Sequence, residues 1–331
     1  MELVCPAGSP AALQTAMDNG ADAIYVGLRD TTNARSFPGL NFSPQQLARA
    51  RDDTARKERK LFLAVNTYAQ AGRWQEWQRA VDLAADTGVD ALIAADMGVL
   101  EYAATRHPDL NLHLSVQGSA TSWRSLRLMH DFFGIKRAVL PRVLSATQVE
   151  RLVDDSPVPL EVFGFGSLCI MVEGRCQLSS YVTGESPNTC GVCSPAKYVR
   201  WKETPAGLES RLNGKLIDRF EPGLKAGYPT ICKGRYEVEG KLEHAMEEPV
   251  SLNTMSLLPR LQESGVVAIK LEGRQRSPAY IAQVVSVWRA ALDAVARDPD
   301  SFVPRLEWEQ ALDAVSEGAQ TTLGAYSRSW Q

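Results

Sequence analysis

The sequence predicts a parallel (β/α) barrel of the TIM type, interrupted between its last two strands by a cysteine-bearing irregular/β insertion. Three observations carry this. A glycine follows a helical pattern at Gly20, Gly88, Gly134 and Gly265, and each leads within two or three residues into an apolar run. That is the αβ half of a βαβ unit, with glycine ending the helix in the left-handed conformation other residues resist. Eight apolar runs can be placed, near residues 3, 23, 61, 91, 112, 137, 160 and 267. Strands alternating with helices imply a parallel sheet, and eight such units suggest a barrel; an open doubly wound sheet is the structural alternative. Finally, the regular spacing fails once, between residues 166 and 266, over a stretch too long to be a plain loop.

Taken in order, residues 3–6, 61–67, 112–117 and 160–164 are short apolar runs of the kind found in strands buried on both faces. Ser9-Pro10 and Ser43-Pro44 place a capping hydroxyl before a proline at the first helical position. Ser145-Ala-Thr-Gln148 is a capping box. Asn213-Gly214 and Glu239-Gly240, flanked by strand-like residues, predict small hairpins in the insertion. Ser277-Pro278 opens a long amphipathic helix through about Ala296. The tail beyond it, with Trp308, Trp330 and Thr321-Thr-Leu-Gly-Ala-Tyr326, has the aromatic content to pack back on the body. The division expected is 1–166 with 266–331 as the barrel, and 167–265 as the insertion.

The 331 residues carry a formal charge of −3, which argues against a protein dominated by nucleic-acid phosphate contacts. MELVCPAGSP has neither a basic start nor a long apolar stretch, and no run reaches membrane-spanning length. A soluble, cytoplasmic protein without a signal peptide is expected. Five of the six cysteines fall between Cys169 and Cys232. In a large chain read as unexported, such clustering favours metal or redox chemistry over a disulfide scaffold.

The clustered cysteines are Cys169, Cys176, Cys190, Cys193 and Cys232. Thiolates bind soft metals, and iron–sulfur clusters commonly take four. Gly166, Gly174 and Gly191 would let backbone approach a bulky cubane, and Arg175, Lys197, Lys233 and Arg235 could offset thiolate charge. Structural zinc usually shows two close cysteine pairs, and only Cys190-Gly-Val-Cys193 is one. Redox disulfides would leave one thiol over. On spacing alone, iron–sulfur, zinc and thiol chemistry all stay open. Cys5, in the first strand, reads as an inert buried thiol.

These residues carry a resemblance. Glu161-x-Phe163, Gly166-Ser-Leu-Cys169 and Gly174-x-Cys176-x-Leu178-Ser179, together with Lys270-Leu-Glu272-Gly273-Arg274 followed by Ser277 and Tyr280, resemble the signature of the collagenase-like U-type peptidase family. The N-terminal Met1-Glu-Leu-Val-Cys-Pro-Ala-Gly, Thr31-Thr-Asn-Ala-Arg35, Leu140-Pro-Arg-Val-Leu-Ser145 and Gly184-Glu-Ser-Pro-Asn188 resemble the branch of that family at work in bacterial ubiquinone biosynthesis. The resemblance implies a [4Fe–4S] cluster held by Cys169, Cys176, Cys193 and Cys232, with Cys190 outside the set. It implies oxygen-independent hydroxylation of the ubiquinone precursor, a polyprenyl-phenol, with prephenate as oxygen donor. It also implies a heterodimer with UbiV, and the lipid-binding accessory protein UbiT as a further partner.

A dicarboxylate such as prephenate would suit bidentate arginine. Arg142 and Arg274, at the ends of strands six and eight, and Arg35, in the loop after strand two, are the candidates on the expected active face. Asn66, Gln117 and Glu272 sit at similar strand ends and could orient substrate. The plainer alternative is that these residues satisfy backbone groups or form ion pairs at the rim. No GxGxxG fingerprint follows the first strand, so a tightly bound flavin or NAD is not indicated. Glu161, at the far end of strand seven, reads as a structural charge partner, and Tyr25 and Phe163 as core. Three other functions compete: hydroxylation of RNA bases, the peptidase activity of the family name, and a non-catalytic subunit whose cluster supports the fold. None of the four histidines forms an HExxH pair.

Overall fold

Eight parallel strands close on themselves in the computed structural model, which describes residues 1–171, 176–185, 193–224 and 226–327. They are β1 (Glu2–Pro6), β2 (Ala23–Gly27), β3 (Lys60–Val65), β4 (Ala91–Ala94), β5 (Leu112–Leu114), β6 (Arg137–Val139), β7 (Leu160–Ser167) and, after the insertion, β14 (Ala268–Leu271). Each pairs with the next, and β14 pairs with both β7 and β1, so the barrel is sealed and the open-sheet alternative is excluded. Both faces of every strand are buried, which is why the strands read as continuous apolar runs. Inside the barrel lies a small cluster of Val4, Tyr25, Phe62, Ile93 and Ala268. The larger core fills the space between strands and helices, around Trp77 and Trp288.

The helices α1 (Pro10–Asp18), α2 (Pro44–Arg56), α3 (Trp74–Thr87), α4 (Met97–Arg106), α5 (Trp123–Phe133) and α6 (Ala146–Asp155) connect the first seven strands. Their starts follow the sequence signals. Ser9 accepts from the Ala12 N–H, and both Ser43/Gln46 and Ser145/Gln148 form reciprocal capping boxes. Gly88 and Gly134 end α3 and α5 at φ of 69° and 66°, where a Cβ would be strained. No helix among the described residues is long and apolar enough to cross a membrane.

Beyond β7 come α7 (Gln177–Thr183), an antiparallel sheet of β8 (Val199–Thr204), β9 (Gly207–Leu212) and β10 (Lys215–Phe220), and the hairpin β11 (Tyr236–Val238) and β12 (Lys241–Glu243). Both expected hairpins form, with positive φ at Asn213, Gly214, Glu239 and Gly240 as a tight two-residue turn demands. The chain then rejoins the barrel before β14. Strand β13 (Ser251–Asn253) pairs antiparallel with the upper half of β7, above the level where β6 pairs with its lower end. Leu252, Met255, Leu258 and Leu261 enter the main core, the last two from α8 (Leu258–Glu263), the helix that precedes β14. A strand of three residues has no periodicity to read, so this return was invisible in sequence. Finally α9 (Pro278–Arg297) and α10 (Leu306–Asp313) lead to β15 (Thr321–Thr322), which pairs with β13.

Candidate active site at the barrel mouth

The carboxyl ends of the barrel strands surround a cavity of about 580 Å³. Arg35, Asn66, Gln117, Arg142, Glu272 and Arg274 all line it, and so do Cys169, Cys176, Cys193 and Cys232. Strand ends radiating from one barrel bring together residues as distant in sequence as Arg35 and Arg274.

Arg274 is placed by a small residue on another strand. A Cβ at Gly27 would lie 2.3 Å from the Asn33 side chain, so glycine there lets Asn33 lie against the strand. Asn33 Oδ1 accepts from Arg274 Nη1 at 2.6 Å, and the Arg274 guanidinium sits 5.4 Å from the Tyr25 ring centre. Among the described residues its hydrogen-bond partner is thus neutral, and it makes no ion pair. Burial pushes its pKa down to about 10. A buried cation without a carboxylate favours an incoming anion.

Arg142 is held differently. Its Nη1 donates to the Ser167 carbonyl at 2.8 Å and to Glu272 Oε2 at 2.7 Å, and its guanidinium lies 4.2 Å over the Phe163 ring. Gly166, at φ 140°, permits Glu272 to approach, since a Cβ there would stand 2.5 Å from Glu272 Cβ. Arg35 is the second neighbour of that carboxylate, at 3.9 Å. Burial raises the Glu272 pKa, but Arg142 and Arg35 outweigh it and hold the carboxyl below its usual range. Here the plainer sequence reading applies: Arg142 and Glu272 form an ion pair at the rim. Asn66 Oδ1 accepts from the Ala34 N–H at 3.1 Å. Gln117, only 3% exposed, has no partner for its Oε1 among the described residues.

The floor is a buried charge network. Lys270 Nζ donates to Glu161 Oε1 at 2.6 Å beside the Tyr25 ring, and Arg137 reaches the other Glu161 oxygen at 3.3 Å and also pairs with Glu2. Glu161 is therefore the charge partner its position suggested. Tyr25 and Phe163 are buried, as read from sequence, yet both also face the cavity. Lys270 was overlooked despite lying in a recognised motif. Burial lowers its pKa, against the pull of Glu161.

The described cysteines are free thiols. Cys176 caps α7, accepting from the Ser179 N–H at 3.4 Å, and the Ser179 hydroxyl donates to the Cys193 carbonyl. Burial pushes Cys193 and Cys232 up to about 11, and neighbouring thiols add to it: Cys176 and Cys232 act on Cys193, Cys169 and Cys176 on Cys232. Four thiols thus line one cavity, soft donors in the number that iron–sulfur clusters commonly take. Among the described residues no three His, Cys, Asp or Glu side chains form a set that could hold a metal ion. Cys190, Arg175, Gly174 and Gly191 lie outside the described residues. Two of the expected counter-cations are otherwise engaged, because Lys197 pairs with Glu185 and Arg235 with Asp218. Lys233 does lower the Cys232 pKa, and Arg35, not foreseen in this role, lowers that of Cys193. Among the described residues, Arg35, Arg142, Lys233, Lys270, Arg274 and Arg276 line the cavity against Glu272 and Glu317 as carboxylates. That excess suits thiolates and an anionic ligand. Glu317 gave no signal in sequence and is reached only through the fold.

A closed parallel barrel with thiols and cations at its carboxyl face defines a TIM-type barrel protein with a candidate cluster-binding mouth. Peptidase family U32 matches residues 8–328, and the chain belongs to that family. It is 28% identical over 316 residues to tRNA hydroxylation protein P1 of Bacillus subtilis (strain 168), covering 94% of this chain and 68% of that protein. It is 29% identical over 317 residues to tRNA hydroxylation protein P of Escherichia coli (strain K12), covering 89% and 68%. The solved structure of the U32 peptidase Mk0906 has the same fold, with a TM-score of 0.50 at 13% identity over 84% of this chain and 94% of that one.

Proposed function

We propose that this chain is the iron–sulfur subunit of an oxygen-independent hydroxylase acting on the ubiquinone precursor ring, a role of the UbiU type. One observation carries the reading: four thiols and six cationic side chains converge on a single cavity at the barrel mouth. Cys169, Cys176, Cys193 and Cys232 would hold a [4Fe–4S] cluster, which supplies an electron carrier or Lewis acid beside the substrate. The chain's own residues bind and orient. Arg274, charged and lacking a carboxylate, takes one carboxylate of a donor such as prephenate, with Arg35 near enough to share the load. Tyr25, Ile93, Val139 and Phe163 form apolar walls that fit a flat ring and exclude water. The Gln117 carboxamide, buried and without a partner for its oxygen among the described residues, meets a hydroxyl on that ring. The heterodimer with UbiV and the accessory protein UbiT belong to the same reading.

The relatives named for tRNA hydroxylation favour a second reading, in which the same cavity takes an RNA base. One experiment decides. Cells lacking the chain are grown without oxygen, and their ubiquinone and tRNA hydroxylation are measured by mass spectrometry. Loss of ubiquinone with intact tRNA supports the first reading, and the converse supports the second. In parallel, the anaerobically purified chain should hold about four irons with matching sulfide, and each of Cys169→Ala, Cys176→Ala, Cys193→Ala and Cys232→Ala should deplete them. Zinc in place of iron, or iron unaffected by all four substitutions, would sink the cluster assignment.

A further inference from the structure

The C-terminal tail packs where the two ends of the cysteine constellation meet the barrel. Glu317 Oε1 accepts from the Ser167 hydroxyl at 3.0 Å, two residues before Cys169. Its other oxygen pairs with Lys233 Nζ, the residue after Cys232. Arg276, from the loop after β14, stands 4.0 Å away. The Glu317 N–H donates to the Ser251 hydroxyl of β13 at 3.0 Å, and β15 then pairs with β13. Further along, Gly324 lies so close to Leu168 that an added Cβ would stand 3.1 Å from Leu168 Cδ2.

Resting on the cluster reading above, we propose that Glu317 is a positioning residue, the buckle of a C-terminal strap that sets the Cys169 and Cys232 segments against each other. The reason is mechanical and electrostatic together. The Cys232 arm belongs to the insertion, whose small core among the described residues is centred on Val199, Leu212 and Ile217, while Cys169 extends from a barrel strand. A carboxylate bonded beside both ties one segment to the other, at a point where Lys233 Nζ also reaches the Val250 carbonyl at 3.5 Å. Charge-assisted bonds of this kind are stronger than neutral ones. The tail motif ending at Tyr326 thereby gains a role, since β15 and Gly324 hold Glu317 in place.

The test uses the full chain, first free of iron, with amide hydrogen exchange read by mass spectrometry. Glu317→Gln keeps the shape and loses the charge; Lys233→Met removes the partner. Each should speed exchange about fivefold in residues 168–171 and 231–234, while strands β2 to β5 exchange as in wild type. The double variant should add little, because both changes open the same buckle. In the iron-loaded chain, a chelator should strip iron several times faster from either variant. Unchanged exchange in the two segments, or a rise spread evenly over the barrel, would overturn the strap. A wild-type chain that takes up no iron counts against the cluster reading alone, and the exchange result then decides the strap by itself.

Discussion

Replacing Glu161 by Gln removes one charge from the barrel floor and strands another. Glu161 is fully buried and is the acceptor for Lys270 Nζ at 2.6 Å. Arg137 keeps Glu2 as a second partner, so the burden falls on Lys270. Breaking a buried pair from one side costs about 3–5 kcal/mol. An independent bound agrees. Lys270 can shed its proton, and from an ordinary pKa near 10.4 that costs about 4.6 kcal/mol at pH 7. With an unfolding entropy of ~2.1 cal/mol/K per residue, 331 residues give about 0.7 kcal/mol/K, so the melting midpoint should fall by about 4–7 °C. The pH dependence follows from the same event. In the variant the folded state holds Lys270 neutral while the unfolded state keeps it charged. The unfolded chain therefore binds more protons, and the variant's deficit shrinks as pH rises toward the ordinary lysine value. Urea unfolding of iron-free protein at pH 7, 8 and 9 measures both. A deficit below about 1 kcal/mol at pH 7, or one that does not narrow by pH 9, would refute the account of a charge-paired floor.

Further outcomes follow from neighbouring groups. His113 is buried edge-on against Phe62, its Nδ1 without a partner among the described residues, and burial with the Arg137 and Lys270 charges pushes its pKa down to about 3. Between there and the ordinary 6.5 the unfolded chain takes a proton the folded chain refuses, so stability drops as pH is lowered, by up to about 1.4 kcal/mol per unit. His113→Leu should flatten that slope between pH 6 and 5, and an unchanged slope in urea titrations would count against a neutral His113. Arg274→Met should raise the KM for an anionic co-substrate about tenfold or more with the fold retained, as steady-state assays would show. Arg142→Met should in addition lower the melting midpoint, since it leaves Glu272 without its nearest cation.

Much of this protein was written locally. Glycine after four of the helices, serine before proline, and short runs buried on both faces are signals within a few residues, and they sufficed for eight strands, their direction and both hairpins. Residue chemistry likewise marked the thiols and the strand-end arginines, because a barrel puts every strand's carboxyl end on one face. What no local pattern contains is which charges meet. Arg142 finds Glu272 across 130 positions, Lys233 finds Glu317 across 84, and Ser167 finds it across 150. These pairings decide that Arg142 is occupied while Arg274 faces the cavity with only a neutral partner. They also bring the tail to the cysteines. Side-chain charge acts over a few ångströms of space whatever the distance along the chain, so only closure of the barrel could assign those partners.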